Sequence, residues 1–283
     1  MSNTPHLSLN DGTTLPAVGL GTYRLNGSAG VTAMVQAVQY GYRLLDSAVN
    51  YENEGAVGEA IRRVVGEGIV SRDALRITSK LPGRHHRLVA ALLAIEESLY
   101  RMQLDRFDLY IIHWPNPHQG LYVEAWQALI EARARGLVRS IGVSNFLPEH
   151  LDRIIEATGV VPSVNQVELH PYLPQHALRE YHAARGIVTE SWSPIGRGQE
   201  LLAEPVLVEI AQRVQRTVSQ VVLRWHVQLG ALPIPKSASP ERQQENLALF
   251  DFSLTDADMA NIATLARENG RILGLDPTTH EEF

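Results

Sequence analysis

The stretch FDLYIIHW, residues 107–114, decides which fold class the sequence belongs to. Its apolar residues follow one another with little polar alternation, so both faces of a strand formed here have to be buried. Such strands belong to parallel sheets that are covered by helices. The stretch therefore predicts a strand of an α/β protein, and its apolar run ends on the ionisable ring of His113.

Further short apolar or β-branched runs alternate along the chain with segments of helical period. One such segment places Val31, Met34, Val35 and Val38 on a single face. The runs make eight strands, and eight βα units in about 250 residues match one (β/α)8 TIM barrel. No Pro-, Gly- or Ser-rich linker divides the sequence, which predicts one domain over residues 1–283. The predicted strands are residues 15–21, 42–48, 75–81, 107–114, 139–145, 163–170, 187–193 and 231–237.

Two additions to the barrel are predicted, one at each end of the chain. Asn10, Asp11 and Gly12 lie between alternating residues, which predicts a β-hairpin that plugs the bottom of the barrel. Thr255 precedes a segment with an acid at the third following position, which predicts an extra C-terminal helix that begins with a capping box.

The composition favours a protein that acts on small molecules. The formal net charge is −6 and no long basic run is present, which argues against nucleic acid or an acidic membrane surface as a partner. The chain has no cysteine, so disulfides and thiolate sites are excluded, and the histidines lack metalloenzyme spacing, so no metal is expected. No signal peptide or membrane-spanning run is apparent, and we expect a cytoplasmic protein.

Polar residues fall at the carboxyl ends of the predicted strands, where barrels of this kind place their chemistry. Asp46, with Tyr51 just beyond it, follows the second strand, Lys80 the third and His113 the fourth. Each also has an ordinary structural interpretation. Asp46 can cap a helix, and Tyr51 can be an aromatic residue of the rim. Lys80 can pair with a surface acid, and His113 can be a hydrogen-bonded histidine of the core. Because the three strands are neighbours, however, these four side chains are expected to converge on one patch.

The chemistry of this patch follows from the types of residue. A tyrosine hydroxyl has an ordinary pKa near 10, so it needs a neighbouring cation such as Lys80 to lower that pKa. Asp46 would keep the buried lysine charged, and His113 would orient a substrate carbonyl oxygen. Such a patch delivers a proton to oxygen but has no electron source, so a cofactor is expected.

Cofactor-binding residues are predicted on the opposite half of the barrel mouth. Ser239 suits a helix N-cap, and Lys236 and Arg242 flank the helix start, which suits an extra phosphate such as the 2′-phosphate of NADP. A second group of residues suits nicotinamide: a tryptophan offers a flat face for stacking, and polar side chains offer partners for the amide. The alternative interpretations are that the tryptophan fills the core and that the serine and asparagine form an ordinary helix cap. These residues are Trp192, Ser144, Asn145 and Gln166.

The sequence resembles the aldo-keto reductases over about residues 7–270. The motifs that carry the resemblance are YRLLDSAVNYENE (42–54), ITSKL (77–81), DLYIIHWP (108–115), RSIGVSNF (139–146), VNQVELHP (164–171), SWSPIG (191–196) and IPKSASPERQQENL (234–247). The resemblance implies an NADPH-dependent carbonyl reductase with Tyr51 as proton donor, and within the family the bacterial branch that contains 2,5-diketo-gluconate reductases. Family precedent also implies a monomer.

The resemblance adds further residues to the expected site. The implied cofactor contacts are Ser193, Ile195, Ser237, Glu245 and Asn246, besides Ser144, Asn145, Gln166, Trp192, Lys236, Ser239 and Arg242. The residues expected to shape substrate choice are Tyr23, Asn50, Pro82 and Trp114. Three positions depart from the family pattern: Glu52 replaces the usual glycine after the tyrosine, Pro82 replaces a frequent tryptophan, and Asn50 is polar where the family is commonly apolar.

Two other functions use the same residues. Lys80 can form a Schiff base with a carbonyl substrate, as lysines do in some barrel aldolases. Alternatively, the protein binds NADP(H) as a sensor and has little catalytic activity. The sensor function is disfavoured because the chain has the complete set of Asp46, Tyr51, Lys80 and His113.

Overall fold

A curled sheet of eight parallel strands forms the centre of the molecule, as the sequence predicts. The computed structural model describes residues 4–198 and 200–283. The sheet has the strand order β10-β9-β8-β7-β6-β5-β4-β3, and an antiparallel pair, β1 and β2, precedes it. The strands are β1 His6–Ser8, β2 Thr14–Pro16, β3 Leu20–Gly21, β4 Leu44–Asp46, β5 Arg76–Leu81, β6 Phe107–Ile112, β7 Val138–Ser144, β8 Val164–Glu168, β9 Val188–Trp192 and β10 Leu232–Pro233.

Backbone hydrogen bonds between the first and last strands close the sheet into a barrel. The N–H of Gly19 donates to the carbonyl of Pro233 and that of Gly21 to the carbonyl of Pro235, both at 3.1 Å. The prolines have no N–H of their own, so only their carbonyls take part. For this reason β10 is shorter than the predicted strand over residues 231–237.

Helices follow the strands and cover the outside of the barrel. They are α1 Gly27–Tyr40, α2 Glu54–Gly66, α3 Leu88–Met102, α4 Tyr122–Ala134, α5 Pro148–Thr158, α6 His176–Ala184, α7 Pro205–Val214, α8 Val218–Gln228, α9 Pro240–Leu247 and α10 Asp256–Ala263. Two helices, α7 and α8, follow β9 where one suffices for a βα unit. Among the described residues, no helix is long and apolar enough to cross a membrane.

The hairpin plugs one end of the barrel, as predicted. Gly12 takes a φ of 83° in the turn, a conformation that glycine adopts without strain. Leu9 and Leu15 are buried and pack against apolar side chains of the barrel strands, including Leu109 and Val164. The amino-terminal segment therefore completes the core at the end away from the carboxyl ends of the strands.

The predicted C-terminal helix is α10, and it begins with the expected capping box. The hydroxyl of Thr255 accepts from the N–H of Asp258 at 3.2 Å. In return, the carboxylate of Asp258 accepts from the N–H of Thr255 at 2.8 Å. These two bonds satisfy backbone donors that would otherwise lack partners at the start of the helix.

A buried histidine between α6 and the barrel makes the fold sensitive to acid. The Nε2 atom of His182 lies 2.9 Å from the amide nitrogen of Asn165, and its Nδ1 atom lies 2.9 Å from the hydroxyl of Thr189. The amide nitrogen is a donor, so Nε2 has to accept and the ring has to stay neutral. Burial accordingly lowers the pKa of His182 to about 3.

We expect His182→Gln to reduce the acid sensitivity of the fold. Between about pH 6.5 and pH 3 the unfolded chain binds a proton at this ring and the folded chain does not, so stability falls as the pH falls. The contribution is about 1.4 kcal/mol per pH unit. Urea unfolding from pH 6 to pH 5 should show a correspondingly shallower decline for the variant. The exposed His176→Gln serves as the control, and parallel curves for His182→Gln and the parent would contradict the assignment.

Candidate active site

A buried lysine lies at the centre of the site. Lys80 is on β5 and its ammonium has no solvent exposure. It donates to both carboxylate oxygens of Asp46, at 2.6 and 2.8 Å, and to the carbonyl of Ser47 at 2.7 Å. Burial alone would lower the pKa of Lys80, but the charges of Asp46 and Tyr51 and the hydrogen bonds to Asp46 together outweigh it and raise that pKa. The amine is therefore held as an ammonium whose protons point at three oxygens.

Tyr51 lies beside this lysine, at the end of a short 3-10 turn that follows β4. Its hydroxyl is 3.4 Å from the lysine nitrogen. The turn is held by Asn53, which donates to the carbonyl of Thr22 at 2.6 Å and accepts from the hydroxyl of Ser47 at 2.9 Å. The position of the tyrosine is thus set by bonds to two neighbouring barrel segments.

Glu52, at the position where the family usually has glycine, keeps the turn that glycine would make. Its φ of 54° and ψ of 28° lie in the left-handed region. For a residue with a Cβ this conformation costs about 1–2 kcal/mol. Glu52 therefore adopts a strained backbone conformation directly after Tyr51.

The hydroxyl of Tyr51 holds its proton more firmly than the sequence predicts. Burial raises the pKa of Tyr51, and the nearby charge of Lys80 lowers it without cancelling the effect of burial. The expectation of a lowered pKa considered the lysine alone. The hydroxyl of Tyr51 is accordingly protonated at neutral pH.

His113 completes the predicted group of four. It follows β6, and its backbone N–H donates to the carbonyl of Leu81 at 2.9 Å, which fixes it beside the end of β5. Its ring centroid is 6.0 Å from that of Tyr51, in an edge-to-face arrangement. The structure therefore brings Asp46, Tyr51, Lys80 and His113 together at the carboxyl ends of β4, β5 and β6.

The residues expected to bind an amide are neighbours on β7 and β8. The hydroxyl of Ser144 donates to the backbone carbonyl of Gln166 at 2.7 Å and accepts from the amide of Asn145 at 3.0 Å. Asn145 also donates to the carbonyl of His113 at 3.0 Å. The expected amide-binding set is thus connected directly to the group that contains the tyrosine.

Sequence reasoning missed one buried carboxylate, Glu190 on β9. The amide nitrogen of Gln166 donates to Asp46 at 3.0 Å and to Glu190 at 2.9 Å. Burial raises the pKa of Glu190, and the neighbouring charge of Asp46 raises it further. Its place in the interior of a predicted strand, two residues before Trp192, was the available signal. Both amide hydrogens of Gln166 are used, so its carbonyl oxygen is what it offers a ligand.

Trp192 lies at the end of β9, next to the amide-binding set. Its indole N–H donates to the side-chain oxygen of Asn145 at 2.8 Å, and the ring is partly exposed. Ser193 follows in a left-handed turn with a φ of 48°. Ile195 packs against two apolar clusters, so its side chain contributes to packing there.

The predicted phosphate-binding residues surround the start of α9. Ser239 caps the helix by accepting from the N–H of Arg242 at 3.3 Å. Ser237 is buried and accepts from the N–H of Ser239 at 3.1 Å. Lys236 and Arg242 are exposed beside this helix start. In α9, Asn246 is buried and Glu245 accepts a hydrogen bond from Thr217.

The four expected pocket residues lie around the mouth of the barrel. Tyr23 packs edge-to-face on Tyr51, with a centroid distance of 5.1 Å. Trp114 is buried beneath His280, with a centroid distance of 4.3 Å. Pro82 is buried at the end of β5, and Asn50 donates to the carboxylate of Glu282 at 2.7 Å. Nothing in the pattern of the sequence indicated that residues 280–283 reach this place.

Comparisons with known proteins agree with this arrangement. A 2,5-diketo-D-gluconic acid reductase B from Corynebacterium sp. (strain SHS752001) is 55% identical over 283 residues, which is 100% of both chains. A methylglyoxal reductase DkgA from Escherichia coli (strain K12) is 40% identical over 278 residues, which is 98% of each chain.

Solved structures are similar over nearly the whole chain. A Gox0644 mutant in complex with NADPH superposes with a TM-score of 0.91 at 44% identity, covering 98% of this chain and 99% of that one. An aldo-keto reductase from Bombyx mori in complex with NADP superposes with a TM-score of 0.89 at 35% identity, covering 95% and 94%. The model of the aldo/keto reductase family matches residues 17–267. The chain therefore belongs to the aldo/keto reductase family.

Proposed function

We propose that this protein reduces aldehydes or ketones to alcohols with NADPH as the reductant, and that Tyr51 donates the proton to the carbonyl oxygen. The observation that supports this most directly is the hydroxyl of Tyr51 lying 3.4 Å from the ammonium of Lys80, which in turn is bonded to Asp46. A protonated tyrosine beside a fixed cation suits the protonation of an oxygen on which negative charge develops.

Each residue of the group of four has a separate role in the proposed proton transfer. A nicotinamide cofactor bound here would supply a hydride, and with it the electron pair that reduces the carbonyl carbon. As negative charge grows on the oxygen, Tyr51 gives up its proton and becomes a phenolate. The ammonium of Lys80 stabilises that phenolate, and the charge of Asp46 keeps the ammonium protonated meanwhile. His113, whose ring faces Tyr51, holds the oxygen in line with the hydroxyl.

The residues on the other half of the mouth fit an NADP cofactor. The carbonyl oxygen of Gln166 is available for an amide N–H, because two carboxylates already accept from its nitrogen. The partly exposed Trp192 offers a flat face to an aromatic ring. Lys236 and Arg242 are exposed beside the start of α9 and would hold a phosphate there. Glu245, another of the implied cofactor contacts, accepts a hydrogen bond from the hydroxyl of Thr217 through one carboxylate oxygen.

The same contacts argue against a Schiff base on Lys80. A lysine that attacks a carbonyl has to lose its proton first. Here the ammonium donates to both carboxylate oxygens of Asp46, to the carbonyl of Ser47 and to the hydroxyl of Tyr51. Burial lowers its pKa, but the charges of Asp46 and Tyr51 and the hydrogen bonds to Asp46 together raise it. Deprotonating the amine for this attack would leave Asp46 as a buried carboxylate without its cation.

The names of two relatives suggest where a substrate search should begin. 2,5-Diketo-D-gluconic acid and methylglyoxal, named in those relatives, each contain more than one carbonyl group. We propose small dicarbonyl compounds as the first substrates to assay, alongside simple aldehydes and ketones.

We expect Tyr51→Phe to lower kcat for a reactive aldehyde by on the order of a thousandfold, since general acid catalysis contributes factors of this size. The dissociation constant for NADPH should stay within about twofold, because the substitution removes one oxygen on the substrate side. Stopped assays of alcohol formation and NADPH fluorescence titration measure the two quantities.

The matched control is Tyr100→Phe, which removes a hydroxyl from a side chain that is 81% exposed on α3. This control should retain the parental kcat. If Tyr51→Phe retained most of its kcat, Tyr51 would not be the proton donor. NADPH binding without turnover across the substrate panel would instead favour the sensor function.

We expect Arg242→Ala to raise KM for NADPH about tenfold and to leave KM for NADH nearly unchanged, because only NADPH has a 2′-phosphate to pair with the guanidinium. NADH thus serves as the internal control in the same steady-state assay. Equal increases for both cofactors would remove Arg242 from the phosphate site.

A further inference from the structure

The C-terminal segment, residues 276–283, crosses the mouth of the barrel. It begins with a turn in which the N–H groups of Thr279 and His280 donate to the carbonyl of Asp276, at 3.0 and 2.7 Å. Near its end, the side chain of Asn116 holds the backbone of Glu282 on both sides. It donates to the carbonyl at 2.7 Å and accepts from the N–H at 3.2 Å. The segment is thus fixed over the active site by specific bonds.

The carboxylate of Glu282 lies inside the site, in a cradle formed by Asn50, Gly83 and His113. The amide of Asn50 donates to Oε1 at 2.7 Å, and the N–H of Gly83 donates to Oε2 at 3.3 Å. The Nδ1 atom of His113 lies 2.6 Å from Oε1, at ion-pair distance although not in hydrogen-bonding alignment. Only 12% of the glutamate side chain is exposed. The carboxylate of Glu282 therefore lies against His113, the residue that would hold a substrate oxygen.

Gly83 shows how closely the segment is fitted to this cradle. A Cβ atom at this position would lie 2.4 Å from the carbonyl oxygen of Glu282 and 2.2 Å from the amide nitrogen of Asn116. Any larger residue would push the segment out of place. The absence of a side chain here is thus a requirement of the docked segment.

We propose that Glu282 is a tethered competitor of the substrate: its carboxylate occupies the cradle of Asn50, Gly83 and His113, and a carbonyl substrate binds only after displacing it. This inference rests on the proposed function, in which His113 holds the carbonyl oxygen. Glu282 thereby sets the apparent affinity for carbonyl compounds and leaves the chemical step unaffected, because it has departed before the proton moves.

The proposal has a quantitative consequence for KM. The apparent affinity of a ligand falls in proportion to the fraction of protein in which its site is open. If the docked segment closes about nine-tenths of the molecules, the apparent KM is about tenfold higher than that of the open site. Weakening the docking should therefore lower KM by up to about tenfold, with kcat within about twofold of the parent.

Two substitutions release Glu282 by different routes. Glu282→Gln removes the charge that pairs with His113 and keeps the size of the side chain. Asn116→Gly removes the backbone clamp, and glycine suits the φ of 46° at that position. Each should lower KM for a neutral aldehyde severalfold without lowering kcat. The control is Glu281→Gln, which makes the same charge change in a residue that accepts from the N–H of His118 outside the cradle.

A peptide of residues 276–283 tests the competition directly. Added to the Glu282→Gln protein, it should inhibit competitively against the aldehyde at millimolar concentration, the range that a short tether supplies internally. Its Glu282→Gln counterpart should bind at least fivefold more weakly. Equal KM values for all three variants and the parent, a fall in kcat in place of KM, or equal inhibition by both peptides would overturn the proposal.

Peptide binding also separates this proposal from the proposed function. Trp114 contacts His280 of the docked segment, so its fluorescence emission reports docking of the segment or of the peptide without any turnover. If no carbonyl compound is reduced, the proposed function fails. Saturable binding of the parent peptide to the Glu282→Gln protein, with weaker binding of its counterpart, would still support occupation of the cradle by Glu282. A lack of binding in this measurement would overturn it.

Discussion

The buried ion pair between Lys80 and Asp46 is the interaction on which the site depends. An ammonium without solvent exposure costs several kcal/mol unless nearby oxygens compensate for the lost water. Here two carboxylate oxygens and the carbonyl of Ser47 do so. These partners are in place only while β4 and β5 keep their register, in which Asp46 pairs with Thr78. The register of the barrel and the position of Lys80 beside Tyr51 are consequently fixed together.

The second carboxylate, Glu190, shows how the barrel limits its internal charge. Gln166 separates it from Asp46 and donates to both. Burial and the charge of Asp46 raise the pKa of Glu190, which favours its protonated form beside the ionised pair. One lysine and one aspartate can then be charged without an excess of negative charge in the interior. The same arrangement uses both amide hydrogens of Gln166 and leaves its carbonyl oxygen as the acceptor it can offer.

The mouth of the barrel is formed by segments that are far apart in sequence. Asn50 follows β4, Gly83 follows β5 and Asn116 follows β6, yet all three contact Glu282 near the end of the chain. The group of Asp46, Tyr51, Lys80 and His113 lies at the ends of core strands, whereas the segment above it is held by individual hydrogen bonds. Segments with few buried apolar contacts open at lower free energy than strands of the core. This difference in rigidity allows one part of the site to stay fixed while another is displaced.

The sequence by itself determined the barrel, its hairpin and capped C-terminal helix, and the convergence of Asp46, Tyr51, Lys80 and His113. These follow from local hydrophobic period, turn chemistry and the rule that parallel strands present their carboxyl ends together. Only the tertiary structure decided that burial raises the pKa of Tyr51, that Glu190 shares Gln166 with Asp46, and that Glu282 lies against His113. Desolvation and contacts between distant segments depend on three-dimensional proximity, which no local pattern encodes.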